Sequence, residues 1–474
     1  MKKWSNIDEM VELILHIDEC VKRWEYTSIY AGTSSVFALF LVFLKCMDDR
    51  VHRETESLFE VLARSVENED DCFDNKYLQD LCNKITDNLS ENHQVLELFI
   101  KRIDLEKKTK SFKNVLDMLR KVDFKKDKKV WELIEAIQLL YGDVHSGLKI
   151  SREDKTTRAL IMTLARTMLK TGENCEIYSF LCGTGVLLSL VVDRGSTIYA
   201  QEPDLEKAII IYVLLRLESE KVEKLSFDIQ IGDVLEQTMT YQMPDKQFDR
   251  IVVELPLGKR KSIANKLSIS ENMEEFLFPD HSNDTGAWLY VRHVLKKLKK
   301  HGRSVVITGI SELSREGSSR RDRESLLMYG AIDTVIQLPS YGLTGVKTCM
   351  IVLQVKSDRK EIYMVDMSNY DKLRKKEDCF DDSESADIGY DQIIGSISEK
   401  IEQKGISRYV SYGEIWEQEV NLTPAIYLRT LDRLFTKKTD LRALLEEDER
   451  LCRKYDECDR RYAQAVKDYC NLNG

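Results

Sequence analysis

Proline is scarce in this chain, with six residues in 474, and no apolar run is long enough to cross a bilayer. The longest run, Val36 to Leu44, falls far short of the roughly 20 residues that a spanning helix needs. No basic-then-apolar leader precedes it, so a soluble, cytoplasmic protein without a membrane partner is expected. Paired cysteines are missing as well. The eleven cysteines contain no Cys-x-x-Cys, which argues against a zinc centre or a disulfide framework and for reduced thiols; no metal site is expected. Positive charge is also in deficit. At a formal net charge of -10, the chain lacks the clustered Lys and Arg with which a protein alone grips nucleic acid over a large surface. Any DNA contact must be local or shared. Two places offer one: residues 101–129, where basic side chains outnumber acidic ones, and the group Lys296, Lys297, Lys299, Lys300 and Arg303. Solvated helix faces are the alternative for both.

What remains is a globular balance leaning towards helix, with 43% apolar and 32% charged residues and a length that calls for two or three structural units. Up to about Asp143 apolar residues recur at spacings of three and four, as in Val130, Leu133, Ile134, Ile137 and Leu140, which predicts helices. From about Lys149 to Lys356 short β-rich runs alternate with helical stretches, the pattern of a parallel sheet with crossover helices. Strands are predicted at 176–181, 197–201, 228–231, 250–253, 304–308, 334–338 and 348–354, and helices at 156–170, 205–218, 287–300 and 322–328. Residues 372–385 are rich in charge and predict a surface loop. In the tail, Leu441, Leu444, Asp448, Leu451, Tyr455, Cys458, Tyr462, Ala465 and Tyr469 form a heptad seam, which suits either a partner helix or packing on the same chain.

The first predicted strand runs into Cys182-Gly183-Thr184-Gly185 and an apolar helix start. Glycines there allow a tight turn and close approach to a nucleotide, although many such turns serve packing alone. About twenty residues on, the second strand ends in Glu202, where a carboxylate can accept from ribose hydroxyls. The third ends at Gly232-Asp233, whose carboxylate could accept from an adenine amine or simply cap its loop. The fourth runs into Glu254-Leu255-Pro256-Leu257-Gly258.

Taken in order, these segments resemble the adenine-amine DNA methyltransferases, most closely the modification subunit of type I restriction-modification systems. That family carries Asp-Pro-x-Cys-Gly-Thr-Gly after its first strand and Asn-Pro-Pro-Phe after its fourth. The likeness continues through Val335-Ile336-Gln337-Leu338-Pro339, Thr348-Cys349-Met350 and Asn421-Leu422-Thr423-Pro424 with Tyr427. It implies a Rossmann-like α/β S-adenosylmethionine methyltransferase domain at 147–358, a helical N-terminal domain at 1–146, a mixed connecting segment at 359–435 and a coiled-coil-like C-terminal helix at 436–474. It also implies S-adenosylmethionine as cofactor, held by Ser179, Cys182, Gly183, Thr184, Gly185, Glu202 and Asp233. As partners it implies a specificity subunit on the C-terminal helix, a second modification subunit, a restriction subunit, and DNA bound as part of the complex.

The departures fall on the chemistry. Ser179-Phe180 stand where the family has Asp-Pro, and residues 148–151, Leu-Lys-Ile-Ser, where it has Phe-Tyr-Thr-Pro. Glu254, Leu255 and Leu257 replace Asn, Pro and Phe, and only Pro256 is kept. Losing the aromatic ring under a flipped adenine costs about 1–3 kcal/mol. A glutamate at 254 is one methylene longer than the family's Asn and cannot donate. If ionised, it favours the cationic cofactor over a transition state in which that charge is vanishing. The leading expectation is therefore a catalytically impaired structural partner. The alternatives are a working adenine methyltransferase with divergent motifs, and a non-DNA methyltransferase or cofactor-binding sensor.

Overall fold

A computed structural model describes residues 6–22, 33–52, 59, 93–102, 109–141, 152–234, 246–255, 287–340, 347–354, 358–368 and 388–428. The charged stretch 372–385, the heptad seam, residues 148–151, and Pro256 and Leu257 lie outside the described residues.

The amino-terminal part contributes helices α1 (Asn6–Lys22), α2 (Thr33–Val51), α3 (His93–Arg102), α4 (Thr109–Leu119) and α5 (Asp127–Tyr141). The run Val36 to Leu44 is buried along its whole length, because α2 lies inside the bundle and has no solvent face there.

The strands are β1 (Glu176–Phe180), β2 (Thr197–Glu202), β3 (Ser226–Ile231), β4 (Phe248–Glu254), β5 (Leu298–Gly309), β6 (Ile332–Gln337), β7 (Thr348–Leu353), β8 (Glu361–Asp366) and β9 (Ser407–Ser411). They form one sheet in the order β3-β2-β1-β4-β5-β7-β6-β8-β9. Neighbours from β3 to β5 are parallel. The sequence pattern predicts a wholly parallel sheet, and β7 corrects it by running antiparallel to both β5 and β6. Residues 338–347 between β6 and β7 are fewer than the roughly dozen that a parallel crossover requires. All seven predicted strands are present. The segment 359–435 adds two more, β8 parallel to β6 and β9 antiparallel at the edge.

Helices α6 (Arg152–Leu169), α7 (Val186–Leu190), α8 (Leu205–Ser219), α9 (Ala287–Lys297) and α10 (Ser318–Met328) connect the strands. The helices α11 (Ile388–Ser398), α12 (Tyr412–Glu417) and α13 (Pro424–Leu428) follow β8. Helix α8 is apolar on all sides, since it is sandwiched between β2 and β3 below and α2, α3 and α5 above. Asp204 starts it by accepting from the amides of Glu206 and Lys207, which satisfies donors that a helix leaves open at its first turn. Phe43 of α2 meets Tyr212 of α8 edge-on at 6.0 Å, and Tyr212 meets Phe227 of β3 at 5.9 Å. Buried side chains before and after residue 147 thus form a single cluster on this face of the sheet. A second cluster, with Tyr178, Phe180, Phe248, Leu255 and Trp288, fills the other face.

The helix predicted at 287–300 stops at Lys297, and the chain enters β5 directly. This disposes of most of the basic group at 296–303. Lys299 bonds Glu176 and Asp249 at 2.9 Å each, Lys297 and Arg303 are buried, and only Lys296 and Lys300 remain exposed. The group also lies at the amino end of β5. No helix among the described residues is long and apolar enough to cross a membrane.

Candidate functional site

In an open α/β sheet, ligands bind outside the carboxyl ends of the strands, at the point where the strand order reverses. Here that point lies between β1 and β4, because β1 leads on one side to β2 and β3 and β4 on the other to β5. The described candidates gather along this edge. Ser179 to Gly185 close β1, Glu202 closes β2, Asp233 follows β3, and Glu254 and Leu255 close β4.

The turn after β1 has left-handed backbone at Leu181, Gly183 and Gly185, with φ of 51°, 58° and 75°. Its two glycines do different work. A Cβ on Gly185 would sit 2.8 Å from Cγ1 of Ile211, so this glycine is required for the close packing of α8. A Cβ on Gly183 would meet nothing within 4 Å, so this one borders open space. Packing therefore accounts for Gly185, while Gly183 leaves room beside the turn.

Glu202 connects the first two strand ends. Its carboxylate accepts from the Gly183 amide at 3.0 Å and the Asp204 amide at 3.2 Å. The residue is only 3% exposed. Burial pushes its carboxyl up to about 7, against the opposing pull of Lys207 and of the two amide bonds. Two amide bonds leave lone pairs on a carboxylate that has about four acceptor sites, so hydroxyl donors from a ribose would complete its set. These features, together with the open space beside Gly183, fit the nucleoside half of S-adenosylmethionine. The amino-acid half finds less, since Ser179, buried on β1, carries no charge with which to meet an ammonium.

Cys182 turns its side chain into the protein. Its thiol points at the carbonyls of Ser179 (3.2 Å) and Gln201 (3.5 Å), and burial, with Glu202 adding, pushes it up to about 12, so it stays protonated. Phe180, where the family has Pro, is fully buried and stacks on Tyr290 at 5.9 Å and edge-on to His293 at 5.0 Å. Tyr290 is a site neighbour that the sequence alone does not reveal, because nothing marks it among the apolar residues of α9. Burial raises its phenol well above the usual range, and the nearby charge of Asp233 adds to this.

At the end of β4, Leu255 is 3% exposed and packed in the second core cluster, and its amide donates to the carbonyl of Ile307 at 2.9 Å. A proline at 255 could not make this bond. The β4–β5 ladder therefore continues through a position where the resembled motif would have ended it. Glu254, in register with Ile307, is partly exposed. Among the described residues no group of three His, Cys, Asp or Glu side chains could hold a metal.

Comparison with known proteins bears on the family and the fold. The profile described as N-6 DNA Methylase matches residues 155–434, more than half of the chain. The type I restriction enzyme MpnII methylase subunit of Mycoplasma pneumoniae is 21% identical over 306 residues, covering 57% of this chain and 54% of that protein. The chain thus spans about half the length of the curated relative it matches. A type I restriction-modification methyltransferase subunit from Streptococcus thermophilus superposes with a TM-score of 0.64 at 18% identity, covering 89% of this chain and 99% of its own. A modification subunit from Vibrio vulnificus YJ016 gives a TM-score of 0.60 at 14% identity, covering 92% and 100%.

Proposed function

Because this chain belongs to the N-6 DNA methylase family, we propose that it acts as the modification-type subunit of a type I DNA-modifying complex in which its own methyl transfer is strongly impaired. The observation that carries this reading is the end of β4. There the Leu255 amide is committed to Ile307 and the Leu255 side chain to the core, while Glu254 stands where the resembled family presents an amide side chain to the adenine amine.

Methyl transfer requires the amine lone pair to be freed and aimed in line at the cofactor's sulfonium methyl. A shift of about 1 Å in such geometry costs about a hundredfold in rate. Glu254 can accept one amine hydrogen but cannot donate, and Leu257 offers no ring for the base to stack on. Further back, Gly183 and Glu202 would hold S-adenosylmethionine by its ribose, and Asp233 by its adenine. That group supplies an electrophilic methyl when bound. Ser179 leaves its amino-acid end without a carboxylate partner, so weak binding follows.

The heptad seam at 436–474 would dock on a specificity subunit, with a second modification subunit, a restriction subunit and DNA completing the assembly. The test is to reconstitute the full chain with its specificity subunit and supply S-adenosylmethionine labelled in the methyl group. The expected outcome is a stable complex that leaves adenine unlabelled, and clear transfer to DNA would overturn the reading. One observation favours a second reading, a working enzyme with divergent motifs: the Gly183 and Glu202 cradle keeps spare acceptor capacity. In that case Glu254 and the Leu255 carbonyl hold the amine, and Glu254→Ala abolishes activity.

A further inference from the structure

The glycine turn does not stand on the sheet alone. Helix α5 ends at Tyr141, and the last carbonyls of a helix have no donor within it. Thr184 Oγ1 donates to the Tyr141 carbonyl at 2.7 Å, so the third residue of the turn caps the end of an amino-terminal helix. One turn earlier, Gln138 Nε2 donates to Ser189 Oγ at 3.1 Å, and Ser189 Oγ donates to the Val186 carbonyl at 3.0 Å. Helix α5 therefore grips both the turn and the short helix α7 that follows it. Its own position is fixed in turn. The Tyr141 hydroxyl donates to the Ser35 carbonyl at 2.8 Å and pairs with Ser35 Oγ at 3.0 Å, at the head of α2. Thr184 is 5% exposed, so water does not readily replace its bond.

We infer that Thr184 and Tyr141 are positioning residues that hold the Gly183 amide on Glu202, making the amino-terminal helices a working wall of the cofactor site and not a separate appendage. The inference rests on the reading of that edge as the cofactor site. The chain of contacts is short: Ser35 to Tyr141, Tyr141 carbonyl to Thr184, and Thr184 next to Gly183, whose amide meets Glu202 at 3.0 Å. Three residues of the turn hold left-handed backbone, a conformation that persists only where surroundings enforce it. Releasing the Thr184 bond lets the turn relax and removes one of the two amides that favour the ionised Glu202. The carboxyl then moves further up from about 7, and cofactor affinity at neutral pH falls.

The experiment uses the full chain and three variants, Thr184→Val, Thr184→Ser and Tyr141→Phe, each checked for folding by circular dichroism. S-adenosylmethionine and S-adenosylhomocysteine are the probes in calorimetry between pH 6 and 8, and hydrogen exchange is read on a peptide covering 181–190 without cofactor. Thr184→Val should speed exchange across the turn and weaken cofactor binding about fivefold, the loss of one hydrogen bond, with the pH midpoint of affinity moved upward. Thr184→Ser, which keeps the hydroxyl, should restore all three, and Tyr141→Phe should shift them by less in the same direction. If the parent chain binds neither probe, the cofactor-site reading fails, and exchange alone still decides the positioning role. Unchanged exchange in Thr184→Val, or a Thr184→Ser variant as loose as the valine, overturns the inference.

Discussion

Two buried carboxylates at opposite ends of the same sheet behave in opposite ways. Asp333, near the start of β6, is 3% exposed and meets Arg303 at 2.7 Å, Arg359 at 2.5 Å and Lys400 at 2.7 Å. Burial alone would raise its carboxyl, but the three cations outweigh this and hold it well below the usual range. The crowding works against Lys400, which burial and the charges of Arg303 and Arg359 hold below its ordinary value despite Asp333. Glu202, equally buried at 3%, bonds two backbone amides and among the described residues has no cation in hydrogen-bonding reach, so burial wins and its carboxyl sits at about 7. A buried charge surrounded by its counterions is complete in itself and holds the fold. A buried charge left under-paired costs stability and has capacity to spare for a ligand.

The largest effect that would test this contrast is Asp333→Asn. It leaves the buried Arg303 and the half-buried Arg359 and Lys400 without this counter-charge and should cost about 3–5 kcal/mol in urea unfolding; a loss under about 1 kcal/mol would place that cluster with weak surface pairs. Because the Asp333 carboxyl is depressed in the fold, its contribution is present above the ordinary carboxylate range and is lost as pH falls below it. The gap between parent and variant should therefore close in acid.

Glu202→Gln should act with the opposite sign. The folded carboxyl is raised, so its contribution is fully present below the ordinary value of 4.5 and is lost as pH rises through about 7. Between pH 4 and pH 8 the parent should therefore lose up to about 3 kcal/mol relative to the variant, while calorimetry shows weaker cofactor binding. A parent-to-variant difference that stays flat across this range would break the comparison. Leu255→Pro installs the resembled family's residue but removes the donor to Ile307, and about 1–3 kcal/mol should be lost on thermal unfolding. Smallest of all, Cys182 should resist alkylation by iodoacetamide at pH 8 in the folded chain, read by mass spectrometry, because its thiol is held at about 12. Rapid labelling would show the turn to be open.

Much of this was legible from local pattern. Residues 176–181, 197–201 and 334–338 announce strands through dense apolar and β-branched runs, and Asp204 before Leu205 announces a helix start. β9, Ser407–Ser411, escaped because five residues with one fully apolar side chain carry no periodicity. β8 was hidden by its charged surroundings. In the site, Cys182, Gly183, Gly185 and Glu202 stood out by spacing, whereas Tyr290 did not, since its relation to Phe180 and Asp233 joins three separate elements. The reversal of β7 was open to a length argument on residues 338–347, but the alternation of elements argued louder for a parallel strand.

The amino-acid order by itself determined the elements from β1 to β7, the motif positions and the substitutions at Ser179, Phe180, Glu254 and Leu255, because these depend on residues close together in the chain. Only the tertiary structure decided which glycine packs and which borders open space, and that Glu202 is buried with acceptor capacity to spare. It also decided that Arg303 serves Asp333, and that Thr184 of the glycine turn caps the end of an amino-terminal helix. Each of these depends on atoms brought together from distant parts of the chain, where burial sets the cost of every unpaired charge and amide.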